Sequence, residues 1–385
     1  MTERTELRIA LFDAYHTGSH KRWALEAQRV WEACGYAVTL VTLPGRHWKW
    51  RMHGAAVWFA EWASARGSDP LPDALVVTDM VDAAALRGLL PSRWRSVPLA
   101  VYFHENQITF PWSSTDPDAA SGRDRTYGWM NLQSALAADR VWFNSHYHRE
   151  VFLAALPDFV RPFPDAVPRA GLSHLRERCS ILHPPVSLGD RGAPRTPHPP
   201  GAPLLLLWNH RWEYDKAPER FFAVMAELER RQVDFKLVVL GDQFGDVPMV
   251  FEEARNRWAD RILAWGTASP EAYSTWLLHA DAVVHAPLQE YFGYSVVEAM
   301  QAGCVPVLGT GGPYDTYAAG FPRWTTAEEA ADALLVEQAA GFPGRQAARE
   351  AVRRFDPEQL RGVYAAAVLD LVHPPTETQK AADGP

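Results

Sequence analysis

Residues 282–298 read AVVHAPLQEYFGYSVVE, and the fold follows from how this stretch is read. An apolar run from Ala282 to His285 leads into a proline-containing loop, then Gly293, then the helix-compatible Tyr294-Ser-Val-Val-Glu298. Strand, loop and helix in that order form part of a βαβ unit, whose ligands gather beyond the carboxyl end of the strand. If Gly293 opens the helix, the unpaired N–H groups of the first turn and the helix dipole favour an anion there. Glu290 and Phe292 then lie in the loop and Glu298 on the second turn. Eight residues of helical rise separate the two glutamate backbones by about 12 Å. That suits one polyhydroxylated, phosphorylated ligand better than a glycosidase pair, which works across roughly 5 to 9.5 Å. Two unrelated solvated glutamates remain the alternative.

The same rhythm extends in both directions. Apolar runs at Leu7 to Phe12, Ala37 to Val41, Ala74 to Thr78, Leu99 to Phe103 and Val141 to Asn144 alternate with longer helix-compatible stretches. It resumes at Leu204 to Trp208, Lys236 to Leu240, Ile262 to Trp265, Ala282 to His285 and Val305 to Leu308. Alternation of this kind predicts parallel sheets with helices on both faces, here two Rossmann-like domains. Between them, 188–203 holds five prolines and reads as a linker. The predicted divisions are a first domain over 1–187, a second over 204–373, and a disordered tail over 374–385. The 385 residues, 47% hydrophobic and 22% charged, are enough for two sizeable cores.

Other chemistries find little support. Cys34, Cys179 and Cys304 stand far apart, which indicates neither a disulfide framework nor a zinc site, and fits a reducing cytoplasm. The 14 histidines show no metal-ligand spacing, so no metal is expected. No run of about 18 apolar residues predicts a membrane span. The net charge of -8 argues against a surface that grips nucleic acid everywhere, but it is uneven. Residues up to Ser187 carry 20 Lys and Arg against 19 Asp and Glu; the remainder carries 18 against 27. A polyanion should therefore meet the first half.

Candidate site residues cluster after strand ends. Trp208-Asn-His-Arg-Trp-Glu-Tyr-Asp-Lys216 follows the first strand of the second domain and places Arg211 and Lys216 in a strand-to-helix loop. An Arg fork with a Lys point charge suits a diphosphate whose negative charge grows as its bond to a sugar breaks. In the first domain, Gly18 sits in the loop after the first strand, where backbone N–H groups can approach a ligand. His104, Glu105 and Asn106 leave the strand ending at Phe103. Arg46, Trp48, Lys49, Trp50 and Arg51 interleave cations with indoles, a composition able to contact phosphates and stack bases, or simply to pack.

These segments together resemble the retaining glycosyltransferases of GT-B architecture, two Rossmann-like domains facing each other across a cleft. More narrowly, GSHKRWA, YFHENQITFP, FNSHYHREVFL, WNHRWEYDKAPE, GDQFGDVP and EYFGYSVVEAMQAGC resemble, in the same order, the tRNA-queuosine α-mannosyltransferase family. The resemblance implies transfer of mannose from GDP-mannose to queuosine in a tRNA anticodon, with retained anomeric configuration, no cofactor and no protein nucleophile. Arg211 and Lys216 would hold the diphosphate, Glu298 the ribose, and Glu290 and His104 the mannose. Phe292 and Gly293 would line the donor site, and Gly18 would let the first loop come close to the donor. Arg46, Trp48, Lys49, Trp50, Arg51, Glu105 and Asn106 would serve acceptor RNA. Two departures stand out: His285-Ala-Pro-Leu-Gln289 before Glu290, where small Ser or Thr residues are expected, and Gly311-Gly-Pro-Tyr-Asp315 in place of a Tyr-Pro-Glu element. Two other readings compete: a transferase acting on a small glycan, lipid or metabolite, and a non-catalytic RNA-binding protein with a relic donor cleft.

Overall fold

The computed structural model describes residues 6–113, 116–121, 124–167, 169–187, 201–243 and 247–374. The chain divides into two compact units, 1–185 with 357–385, and 186–356. Most of the linker stretch and the end of the chain lie outside the described residues.

The first unit is built on six parallel strands: β1 (Arg8–His16), β2 (Ala37–Pro44), β3 (Ala74–Thr78), β4 (Leu99–Phe103), β5 (Arg140–Phe143) and β6 (Cys179–Ile181), ordered β2-β1-β3-β4-β5-β6. Every residue of β3 and β4 is buried, as expected of strands covered by helices on both faces. The order reverses between β1 and β3, the kind of switch point beside which open α/β sheets bind ligands. β6, only three residues long, gives no apolar run to read in the sequence.

The second unit repeats the theme with β7 (Leu204–Asn209), β8 (Phe235–Leu240), β9 (Ile262–Gly266), β10 (Ala282–His285), β11 (Val305–Gly309) and β12 (Arg323–Trp324), ordered β12-β11-β10-β7-β8-β9. Leu204, Leu206 and Trp208 face one apolar cluster while Leu205 and Leu207 face another, so the two-residue pleat feeds both helical layers. Its switch point lies between β7 and β10.

The predicted domain boundary at 373 needs correction. The helix Pro357–Val372 packs on the first unit, against the helix Gly18–Ala33. Buried indole N–H groups need acceptors, and Tyr364 supplies two. Trp23 Nε1 donates to its hydroxyl at 3.0 Å, and Trp31 Nε1 to its carbonyl at 3.2 Å. The Tyr364 hydroxyl in turn donates to the His183 carbonyl at 3.0 Å. Trp23 and Trp31 lie more than 300 residues from Tyr364 and His183 lies 181 from it, which is why the sequence pattern hides these contacts.

Candidate active site

β7 and β10 end side by side at the switch point of the second unit, and the loops leaving them carry its charged groups. After β7, Asp215 and Lys216 form a short helical turn (Tyr214–Lys216). After β10 comes Glu290. Lys216 Nζ stands 3.1 Å from Glu290 Oε2 and 3.1 Å from Asp215 Oδ2. Burial alone would lower the Lys216 pKa, but the two carboxylates outweigh it and the ammonium is held charged well above its ordinary range. Burial pulls Glu290 the other way, yet Lys216 prevails and its pKa is lowered. Glu290 Oε1 also accepts the N–H of Tyr291 at 3.1 Å, so the carboxylate is fixed from both ends.

Arg211 is the more available cation. Its side chain is 44% exposed, and its guanidinium pairs with Glu213 at 2.8 Å and more loosely with Asp215 at 3.8 Å. Lys216, 11% exposed, is locked by comparison.

The helix Tyr294–Ala302 begins where the sequence places it. Gly293 is its N-cap, at φ +87°, and a Cβ there would meet the Tyr317 hydroxyl at 2.8 Å and Tyr314 Cε1 at 2.9 Å. Only glycine satisfies both the left-handed backbone and the close packing. The first-turn N–H groups, which no intrahelical carbonyl can satisfy, thus open beside the loop of Glu290. Phe292 is corrected: its side chain is core, among Val186, Val296, Tyr317 and Phe355, and its carbonyl accepts the Tyr317 hydroxyl at 2.8 Å. Any ligand contact from Phe292 is through its backbone.

A set of residues that the sequence reading missed fixes this helix. Asn209 Nδ2 donates to the Ser295 carbonyl at 2.9 Å and to the Tyr273 hydroxyl at 3.1 Å. That hydroxyl donates to Glu298 Oε2 at 2.8 Å. His210 Nδ1 meets Ser295 Oγ at 2.6 Å, and the His210 ring stacks on His285 with centroids 3.5 Å apart. Burial, more than any neighbouring charge, lowers the pKa of both imidazoles and favours their neutral forms. The flat His285 ring thus fills the space against His210. Tyr273 left no signal in the sequence, because a helical tyrosine carries none.

In the first unit His104 leaves β4 beside Asp79, which follows β3. Asp79 Oδ1 accepts the His104 N–H at 3.2 Å, and the His104 ring lies on His20 (4.0 Å) with its edge to Trp23 (5.0 Å). His104 Nε2 has no hydrogen-bond partner among the described residues. Ligand atoms of His20, Asp79 and His104 lie within 4.8 Å of one another, a proximity that residue spacing did not reveal. Burial first and Glu105 second raise the Asp79 pKa. Gly18 starts its helix at φ +49° with open space where a Cβ would stand.

The acceptor residues divide. Asn106 is fully buried and serves its own loop: Oδ1 accepts from Ile108 and Thr109 N–H groups, and Nδ2 contacts His148 Nε2 at 3.0 Å. Glu105 accepts from Gln107 Nε2 at 2.9 Å. Lys49 is held by Asp116 and Asp118, each at 2.6 Å, while Trp48 packs against Trp112 and Tyr127. Asn106, Lys49 and Trp48 thus all have partners within the protein. Trp50, 68% exposed, and Arg46 face outward, and Arg51 donates to the Pro44 carbonyl at 3.3 Å.

Residues 8–186 match the family described as tRNA-queuosine alpha-mannosyltransferase N-terminal, and residues 194–338 match glycosyl transferases group 1. The chain is 30% identical over 312 residues to the tRNA-queuosine alpha-mannosyltransferase of Drosophila melanogaster, covering 78% of each chain. Among solved structures it resembles sucrose-phosphate synthase from Thermosynechococcus elongatus (TM-score 0.68, 14% identity, 95% of this chain and 99% of that one). It also resembles a glycosyltransferase from Rickettsia africae (TM-score 0.64, 15% identity, 96% and 100%). These likenesses show the fold, which is GT-B. No helix among the described residues is long and apolar enough to cross a membrane.

Proposed function

Since the chain belongs to the tRNA-queuosine alpha-mannosyltransferase family, we propose that it transfers mannose from GDP-mannose to a hydroxyl of queuosine in tRNA. The observation that carries this reading is the Lys216–Glu290 pair beside the Gly293 helix start, at the switch point of the second unit. A diphosphate would sit at the helix N-terminus near Lys216 and draw Arg211 from Glu213. Glu298, its carboxylate oriented by Tyr273, would accept the ribose hydroxyls, and Glu290 the mannose hydroxyls. No cofactor is required. The bond from the anomeric carbon to the diphosphate oxygen breaks as the acceptor oxygen bonds to that carbon on the same face. The acceptor proton passes to the departing phosphate, so GDP leaves and configuration is retained. Rate then depends on holding the reactants together and on meeting charge as it develops. A cytoplasmic location fits such a substrate.

Labelled GDP-mannose incubated with queuosine-containing tRNA should yield labelled tRNA, and with queuosine-lacking tRNA none. Equal labelling of both, or of neither, overturns the proposal; label on a glycan, lipid or metabolite instead would establish the competing transferase reading. Glu298→Gln keeps an acceptor for Tyr273 but loses the charge that strengthens bonds to ribose. It is expected to raise the donor KM about tenfold with little change in melting temperature. An unchanged KM removes Glu298 from the donor site.

Lys49→Ala is expected to leave the salt dependence of tRNA binding unaltered, because Asp116 and Asp118 already neutralise the ammonium. Arg46→Ala should weaken binding and flatten the dependence by about one phosphate contact. Binding isotherms at several salt concentrations distinguish the two; equal effects would mean that Lys49 releases its aspartates to the RNA.

A further inference from the structure

A cavity of about 350 Å³ in the first unit, whose lining does not include His104, is bounded by residues among them Gln107, Trp112, Arg125, Asp158 and Phe159. Three elements meet there: the loop after β4, the helix Asp124–Ala137, and the helix His146–Val160. Its chemistry is that of flat faces and polar edges. The Arg125 guanidinium lies over the Phe159 ring at 5.5 Å and donates to the Phe159 carbonyl at 3.0 Å. Trp112 presents an indole whose ring also packs against Trp48 and Tyr127. Gly128 makes room for Phe159: a Cβ there would stand 2.9 Å from the ring. Gln107 brings an amide and Asp158 a carboxylate.

The charges choose the ligand. Asp158, paired with Arg161 at 2.9 Å, puts a carboxylate on the wall, and the neighbouring Lys49 is already neutralised by two aspartates. Neither favours a phosphate. Aromatic and guanidinium planes with amide and carboxylate edges instead match an unstacked nucleobase, the usual target in single-stranded RNA loops. The volume lies at the small end of ligand pockets, enough for one base. We infer that this cavity receives one nucleobase of the acceptor's anticodon loop. It thus reads RNA context in addition to the modified nucleoside. This inference rests on the tRNA reading above.

Fluorescence anisotropy with a queuosine-bearing anticodon stem-loop, intact or with single loop positions made abasic, tests it. The wild type should bind about tenfold more weakly when one particular base is missing. Phe159→Ala and the surface variant Arg125→Gln should bind the intact hairpin about tenfold more weakly, ignore that missing base, and keep the wild-type KM for GDP-mannose. If no abasic position matters to the wild type, or if folded variants bind and discriminate as it does, the inference is overturned. Failure of the underlying reading is separately visible, as wild-type enzyme that labels no queuosine tRNA.

Discussion

Arg211→Ala is expected to lower transfer about a hundredfold at an unchanged melting temperature, whereas Lys216→Met should lower both. Both cations are assigned to the departing diphosphate, and a preorganised charge that meets developing charge accounts for roughly 10²- to 10³-fold in rate. Their surroundings differ. Arg211 is 44% exposed; it pairs with the partly exposed Glu213 and only loosely, at 3.8 Å, with the buried Asp215, which keeps Lys216 as its partner, so losing Arg211 costs little stability. Lys216 lies between Asp215, 1% exposed, and Glu290, 17% exposed. Removing one partner of a buried ion pair leaves charge without compensation, at a cost of about 3 kcal/mol, the lower end of the range because Glu290 still touches water. For a unit of this size that corresponds to a fall of roughly 6 to 12 °C. Steady-state kinetics with thermal melts checks both variants. If Arg211→Ala retains more than a third of wild-type kcat/KM, Arg211 is not a diphosphate ligand. If Lys216→Met melts as the wild type does, the pair is not the anchor its geometry implies.

The contrast between these two residues also shows what the sequence could convey. WNHRWEYDK placed Arg211 and Lys216 in one loop, and the rhythm of apolar runs placed that loop at a strand end, because periodicity and turn chemistry are local. Neither could say that Lys216 would be enclosed by two carboxylates 1 and 74 residues away. The same division explains Lys49. Its indole neighbours are adjacent in sequence and suggested RNA, while the aspartates that neutralise it lie 67 and 69 residues on and gave no sign. Asn106 followed a similar course, its amide spent on backbone N–H groups two and three residues ahead. The long-range features, Tyr364 accepting from Trp23 and Tyr273 orienting Glu298, depend on tertiary packing and had no local signature.

Gly293→Ala is expected to lower both the stability of the second unit and its binding of donor. The backbone at φ +87° costs an L-residue about 1 to 2 kcal/mol. The added carbon would also press on the Tyr317 hydroxyl and the Tyr314 ring. Tyr317 cannot simply withdraw, since its hydroxyl donates to the Phe292 carbonyl and its ring packs on Phe355 at 5.5 Å. Overpacking of this kind adds about 1 to 3 kcal/mol. Gly311→Ala provides the control: its φ of +83° carries the same backbone penalty, but nothing lies within 4 Å of its added carbon. The melting temperature should therefore fall about 5 to 15 °C for Gly293→Ala and by half of that or less for Gly311→Ala. Any strain in the first variant is relieved by shifting the helix start, which moves the N–H groups assigned to the diphosphate. GDP-mannose binding, measured calorimetrically below the melting transition, should weaken at least tenfold in Gly293→Ala alone. Equal melting temperatures for the two variants would show that the tyrosines yield freely. Undiminished donor binding in Gly293→Ala would mean that the anion is held somewhere other than this turn.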